Sequence, residues 1–121
     1  MKKILIVDDE ENLRELYRVE LMDEGFEVIT AKNGFEGVEK CENENPDLVI
    51  VDIRMPGMDG LETISRILNL NRKRPIIIHS AYPHYQDNFL SWNADAFVVK
   101  SSNMEELKCR VNDCLASFNS N

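Results

Sequence analysis

Five short runs of β-branched and aliphatic residues recur along the chain, and stretches with helical periodicity separate them. The first, third and fourth runs are apolar without alternation, as expected of strands that are covered on both faces of a parallel sheet. The second run is more mixed, which is typical of an edge strand. The alternation predicts an α/β fold, a doubly wound five-stranded parallel sheet with right-handed crossovers and helices on both faces. The runs span residues 3–8, 26–31, 47–52, 75–80 and 96–100.

Apolar residues at helical spacing predict the helices between these strands, each with one buried stripe. Residues typical of helix starts precede several of the stripes, and a sparse aromatic stripe after Pro83 predicts a further helix over 83–92. The stripes are Leu13, Leu16, Tyr17 and Leu21; Leu61, Ile64, Ile67 and Leu68; and Met104, Leu107, Val111, Cys114 and Leu115. The predicted helix starts are Asn33-Gly34, Asp59-Gly60 and the capping box Ser102-x-x-Glu105.

Length and charge narrow the class of protein. The chain has 121 residues, enough for one domain, which we expect over 1–118, with 119–121 as a frayed tail. The net charge of -8 argues against nucleic acid or a membrane surface as a direct partner. The first apolar run stops after four residues at Asp8, and no run is long enough for a membrane span. The spacing of the three cysteines is not typical of a disulfide framework or a zinc site, so we expect the cysteines to be small buried apolar residues. The protein is expected to be cytoplasmic.

Polar side chains stand where the predicted strands end. Asp8 and Asp9 follow the first strand, Asp52 closes the third, Ser80 the fourth and Lys100 the fifth. Because ligands bind at the carboxyl ends of parallel strands, we expect these side chains to converge at one edge. Three clustered carboxylates need a cation, and oxygen ligands without His or Cys favour Mg²⁺. Lys100 and Ser80 would contact phosphoryl oxygens, and Asp52 is best placed to be a nucleophile toward phosphorus.

The segments ILIVDDE, DLVIVDIRMPGMDG, Ser80-Ala81 and ADAFVVK, in this order and at this spacing, resemble the receiver domain of bacterial two-component response regulators. The resemblance covers essentially the whole chain. It implies the flavodoxin-like strand order 2-1-3-4-5 and transfer of a phosphoryl group to Asp52 from a sensor histidine kinase or a histidine phosphotransfer protein. The expected protein is therefore a signalling switch that catalyses only its own phosphorylation and dephosphorylation.

The resemblance also implies roles for individual residues. Mg²⁺, with Mn²⁺ as the alternative ion, would be held by Asp9, Asp52 and the backbone carbonyl of Arg54, and Asp8 would act mainly through water. Ser80 and Phe97 would form the switch, the hydroxyl moving toward the phosphate while the ring turns inward. This movement would remodel the surface of the helix over 83–92, the last strand and the last helix. That surface would bind a downstream protein target or, on phosphorylation, a second copy of the chain.

Several positions depart from or vary within the family pattern. Members usually have a cis-proline after the lysine, where this chain has Ser101, and Asn93 stands where glycine is common. Arg54 and Tyr82 occupy two variable positions beside the site that, by resemblance, tune the lifetime of the phosphoryl group. Both side chains are large, and we hypothesise that they shield the acyl phosphate from water.

Other interpretations remain open at the level of sequence. Taken alone, the acidic pair after the first strand is typical of a solvated helix start, Ser80 and Lys100 of an ordinary strand end, and Phe97 of a core residue. The rival functions are a Mg²⁺-dependent phosphatase of haloacid-dehalogenase type, where Arg54 replaces the second aspartate, an unphosphorylated pseudo-receiver binding module, and a flavodoxin. The chain is expected to be either a single-domain regulator, which we slightly favour, or the receiver part of a longer one.

Overall fold

Strands and helices alternate along the chain as the sequence predicts. The computed structural model describes residues 1–82, 92–101 and 103–119, so most of the helix predicted over 83–92 lies outside the described residues. The strands are β1 (Lys3–Val7), β2 (Glu27–Ala31), β3 (Leu48–Val51), β4 (Ile76–Ser80) and β5 (Ala96–Val99). The helices are α1 (Glu11–Asp23), α2 (Gly34–Glu44), α3 (Gly60–Leu70) and α4 (Glu105–Asn119). All strand pairs are parallel in the order β2-β1-β3-β4-β5, which confirms the flavodoxin-like prediction.

The two faces of the sheet bury two separate apolar cores. Successive residues of a strand point to opposite faces, so Ile4 and Ile6 of β1 join the core under α1 and α4. Leu5 and Val7 join the core under α2 and α3. Because the central strands are covered on both sides, they are apolar at every position, which explains the absence of alternation in the sequence.

Two details of the predicted burial are wrong. Leu16 of the first helical stripe is 44% exposed, because α1 turns this position away from the sheet. Cys109 is exposed on α4, whereas Cys41 and Cys114 are buried as predicted. None of the helices within the described residues is both long and apolar enough to cross a membrane.

The predicted starts of α2 and α3 are confirmed by their capping hydrogen bonds. Asn33 accepts from the N–H of Glu36 at 2.8 Å, and Asp59 accepts from the N–H of Glu62 at 2.9 Å. At Gly60 any side chain would collide with the backbone, because an added Cβ would lie 2.5 Å from the carbonyl oxygen of Asp52. This close approach lets α3 begin directly beside the end of β3.

The remaining local predictions concern the segment before α4 and the turn before β5. Ser102 lies outside the described residues, so its capping box stays a prediction. The side chain of Asn103 accepts from the N–H of Glu105 at 2.9 Å at the start of α4. Asn93 has a φ of 64°, the left-handed conformation that asparagine tolerates better than most residues.

The opposite, amino edge of the sheet is also lined by polar side chains. Arg74 is buried just before β4, where its guanidinium donates to the carbonyl oxygen of Pro46 at 2.9 Å and to the side-chain oxygen of Asn45 at 2.7 Å. These bonds tie the segment before β4 to the segment before β3. Nothing in the sequence pattern predicts this arrangement.

Candidate functional site

Strand alternation places the key side chains of the carboxyl edge on one face of the sheet. Asp8, Asp52 and Lys100 each lie two residues beyond a core residue on the α1 and α4 side. The Lys100 ammonium donates to Asp8 Oδ2 at 2.8 Å and to Asp52 Oδ2 at 3.0 Å. All three side chains are largely buried. One cation therefore joins two acids that are 44 positions apart in the sequence.

A third carboxylate completes the cluster. Asp8, Asp9 and Asp52 each offer one oxygen, and these oxygens all lie within 4.8 Å of one another. Asp9 is exposed to solvent, while the other two are buried. Three carboxylates face one lysine here, and their oxygen-only donor set fits a hard divalent cation such as Mg²⁺.

The backbone and one arginine hold the acids in place. The N–H of Glu10 donates to Asp8 Oδ1 at 2.9 Å, and the N–H of Arg54 donates to Asp52 Oδ1 at 3.2 Å. The guanidinium of Arg14 donates to the carbonyl oxygen of Asp8 at 2.8 Å. No sequence pattern predicts this role of Arg14, because a single basic residue on the first turns of a helix is ordinary.

Burial and charge set the protonation behaviour of the pair. Burial raises the pKa of Asp52, and the nearby charge of Asp8 adds to this, while Lys100 acts in the opposite direction. Burial alone would lower the pKa of Lys100, but its hydrogen bonds and charge interactions with the two acids outweigh this and raise the pKa. The lysine therefore stays charged at neutral pH, whereas the charge of Asp52 needs further compensation.

Ser80 and Phe97 lie near the cluster, and the backbone carbonyl of Ser80 accepts from the N–H of Lys100 at 2.7 Å. The Ser80 hydroxyl is buried and accepts from the N–H of Tyr82 at 3.0 Å; within the described residues it has no hydrogen bond to Asp52 or Lys100. Phe97 is buried in the core on the α2 and α3 side. Four of the five predicted strand-end side chains thus meet, and the switch role of Ser80 and Phe97 stays a prediction.

A cleft of about 440 Å³ opens above the acids. The guanidinium carbon of Arg54 lies 4.8 Å from the ring centre of Tyr82, so the two large side chains predicted to shield the site contact each other at its border. Leu16 and Tyr17 of α1 line the same cleft, which accounts for the exposure of Leu16. The helical stripe predicts both residues to be buried, which is confirmed for Tyr17 at 2% exposure but is wrong for Leu16, because spacing alone does not distinguish core from cleft wall.

The sequence matches a known protein family over most of its length. The family model of the response regulator receiver domain matches residues 4–112. The chain belongs to this family. Lys100 is followed by Ser101 through a trans peptide bond in this receiver domain.

Curated relatives support the assignment. The alkaline phosphatase synthesis transcriptional regulatory protein PhoP of Bacillus subtilis is 36% identical over 112 residues, covering 91% of this chain and 47% of PhoP. The response regulator ArlR of Staphylococcus saprophyticus is 38% identical over 113 residues, covering 92% of this chain and 51% of ArlR. The receiver domain thus spans about half the length of these relatives.

Solved structures match over almost the whole chain. The response regulator TrrA of Thermotoga maritima in complex with Mg²⁺-BeF has a TM-score of 0.89 and 49% identity, covering 94% of this chain and 99% of TrrA. TrrA in complex with the histidine kinase ThkA has a TM-score of 0.87 and 50% identity, covering 95% and 99%. A CheY-like receiver domain protein of Methanospirillum hungatei has a TM-score of 0.90 and 31% identity, covering 98% and 96%.

Proposed function

We propose that this receiver domain is a phosphorylation-activated signalling switch that accepts a phosphoryl group on Asp52 from a sensor histidine kinase or a histidine phosphotransfer protein. The observation that carries the proposal is the Lys100 ammonium bound to both Asp8 and Asp52 beside a third carboxylate. The complex of TrrA with the histidine kinase ThkA supports a kinase as the partner.

The side chains divide the chemistry of phosphotransfer among them. A carboxylate oxygen of Asp52 attacks phosphorus and forms an acyl phosphate, while the P–N bond of the donor phosphohistidine breaks. Lys100, already 3.0 Å from Asp52 Oδ2, contributes a fixed positive charge to the phosphoryl oxygens. Because the pKa of Lys100 is raised, its ammonium stays charged throughout phosphotransfer.

The carboxylate cluster would hold Mg²⁺, or Mn²⁺ as the alternative ion. Asp9, Asp52 and the backbone carbonyl of Arg54 are the proposed ligands, with Asp8 acting mainly through water. When bound, the ion supplies the positive charge that the three acids lack and neutralises phosphoryl oxygens. The complex of TrrA with Mg²⁺-BeF supports the choice of Mg²⁺.

The switch proposed for output starts at Ser80 and Phe97. Phosphorylation would draw the Ser80 hydroxyl from the N–H of Tyr82 toward the phosphate, which changes the packing of Phe97. The altered surface, formed by β5, α4 and the segment over 83–92, would bind a downstream protein or a second copy of the chain. The relative PhoP is a transcriptional regulatory protein, which supports an effector domain as the recipient of the signal.

Arg54 and Tyr82 are proposed to set the lifetime of the phosphoryl group. Their mutual contact at the border of the cleft supports a role in limiting the access of water to Asp52. Replacing both residues with alanine should accelerate dephosphorylation, measured as loss of the phosphorylated mass after the donor is removed. An unchanged rate would contradict the shielding hypothesis.

Intact mass spectrometry tests the proposed function. The protein is incubated with acetyl phosphate with and without Mg²⁺, alongside Asp52→Asn and the control Asp23→Asn at the exposed end of α1. We expect one Mg²⁺-dependent, base-labile phosphoryl adduct on the wild type and on the control, and none on Asp52→Asn. An adduct on Asp52→Asn, or none on the wild type despite measured Mg²⁺ binding, would contradict the proposal.

A further inference from the structure

The path of the Lys100 side chain is set by the strand order. Lys100 follows β5, while its partners Asp52 and Asp8 follow β3 and β1. Because β4 lies between β5 and β3, the lysine side chain must cross the end of β4 to reach either acid. The crossing to Asp52 spans about two strand spacings, roughly 10 Å, and Asp8 follows the next strand beyond. The residues at the end of β4 therefore lie beneath it.

On the face that Lys100 crosses, the last side chain of β4 is His79. Its neighbour two residues earlier, Ile77, belongs to the core under α1 and α4, and its register partner Val98 belongs to the same core. His79 is only 3% exposed, and its ring lies against Tyr17, with 4.7 Å between the ring centres and an angle of 59° between the planes. A polar ring thus occupies a position where an aliphatic residue would continue the pattern of the strand.

The hydrogen-bonding groups of the two side chains complement each other. A lysine ammonium has three N–H donors, and within the described residues that of Lys100 has two acceptors, Asp8 and Asp52. His79 Nδ1 is a buried atom without a hydrogen-bond partner among the described residues. Burial and the charge of Lys100 lower the pKa of His79 to about 3, so the ring is neutral and one nitrogen is an acceptor.

We propose that His79 is a positioning residue for Lys100: its ring, packed on Tyr17, supports the lysine stem where it crosses β4, and its Nδ1 accepts the third ammonium N–H across one water. His79 does not touch the reacting atoms and acts only through the lysine. The inference rests on the proposed function for its consequence in phosphotransfer, but the contact itself can be measured without phosphorylation.

The contact is tested first in the wild-type protein by ¹H–¹⁵N NMR. We expect the His79 ring to carry its proton on Nε2, with the Nδ1 signal in the range of a hydrogen-bond acceptor, and the Lys100 ammonium to exchange its protons slowly. A proton on Nδ1 would overturn the proposal, because that nitrogen could not then accept from lysine. This measurement uses only the wild-type protein, so it does not depend on whether a variant folds.

Three variants then test the consequence for Lys100. His79→Phe keeps a ring but removes the acceptor, His79→Asn restores an acceptor, and Ile77→Val perturbs the same strand and face without reaching Lys100. We expect the Lys100 ammonium signal to shift and broaden only in His79→Phe. A Lys100 signal in His79→Phe that is identical to that of the wild type would overturn the proposal.

The same variants are compared in their rate of phosphorylation by acetyl phosphate at saturating Mg²⁺. Loss of one hydrogen bond should slow His79→Phe about fivefold, with Ile77→Val at the wild-type rate and His79→Asn closer to the wild type than to His79→Phe. Equal rates in His79→Phe and the wild type would overturn the positioning role. If the wild type itself is not phosphorylated, the proposed function fails, while the NMR experiment still decides whether His79 contacts Lys100.

Discussion

The two edges of the sheet use buried charge in opposite ways. At the amino edge two carboxylates are matched to the backbone: Asp47 accepts from the N–H of Lys3 at 2.7 Å, and Asp95 accepts from the N–H of Ile76 at 2.8 Å. At the carboxyl edge the acids face one another across a single lysine. The amino edge gives each of these two carboxylates a backbone donor, whereas the carboxyl edge keeps an excess of negative charge.

Two cations within the described residues, one at each edge, show the same difference. Arg74 at the amino edge is accepted by neutral oxygens of Pro46 and Asn45, so its burial fixes the chain without recruiting acids. Lys100 at the carboxyl edge is bound by two carboxylates, and a third carboxylate has an oxygen within 4.8 Å of theirs. The first arrangement is suited to stability, and the second is suited to binding a metal ion and a phosphoryl group.

The largest effect is expected from removing Lys100, the cation of the carboxyl edge. Lys100→Met leaves Asp8 and Asp52 buried without their cation, so we expect the free energy of unfolding to fall by about 3 kcal/mol. Phosphorylation should be largely lost as well. Because Mg²⁺ binds the folded acids, adding it should restore part of the stability in urea denaturation. Lys108→Met, which removes a lysine paired with the single, more exposed carboxylate of Glu20, is the control and should cost less. A loss that Mg²⁺ does not reduce would argue against the metal site.

Removing Arg74 should affect stability alone. Arg74→Met deprives two oxygens at the amino edge of their donors, and we expect a loss of roughly 2 to 3 kcal/mol in the free energy of unfolding. The rate of phosphorylation of the folded protein should be unchanged, with Arg72→Met at an exposed neighbouring position as the control. A slower phosphorylation in Arg74→Met would show that the two edges are not independent.

The smallest expected effect is the dependence of stability on pH that His79 causes. His79 has a pKa of about 3 in the folded protein against 6.5 when unperturbed, because burial disfavours the charged ring. Below pH 6.5 the unfolded chain therefore binds a proton that the folded chain does not, and stability falls as the pH is lowered toward 3. At pH 5 the loss should be about 2 kcal/mol. Relative to the wild type, His79→Phe should show a shallower decline of stability between pH 7 and 5, and a parallel decline would contradict the assignment.

The sequence predicts the sheet because buried parallel strands leave continuous apolar runs. Each predicted strand agrees with the structure to within one residue at either end. The convergence of Asp8, Asp9, Asp52 and Lys100 was predictable for a related reason, since the carboxyl ends of parallel strands share an edge whatever the details of packing.

What the sequence could not predict depends on side-chain reach and orientation. The pairing of Asp8 with Lys100 requires the lysine to cross β4, which no local pattern encodes. The burial of Arg74 runs against the usual exposure of arginine and depends on two oxygens in a distant loop. The exposure of Leu16 follows from the cleft beside α1, which helical spacing does not reveal.

We propose that the carboxyl edge of the sheet directs a phosphoryl group to one carboxylate, that of Asp52. The most direct measurement is to phosphorylate the protein with acetyl phosphate and Mg²⁺, reduce the acyl phosphate with borohydride and locate the resulting homoserine by peptide sequencing in a mass spectrometer. We expect homoserine at position 52 and at neither of the neighbouring acids Asp8 and Asp9. Homoserine at position 8 or 9 in place of 52 would contradict it.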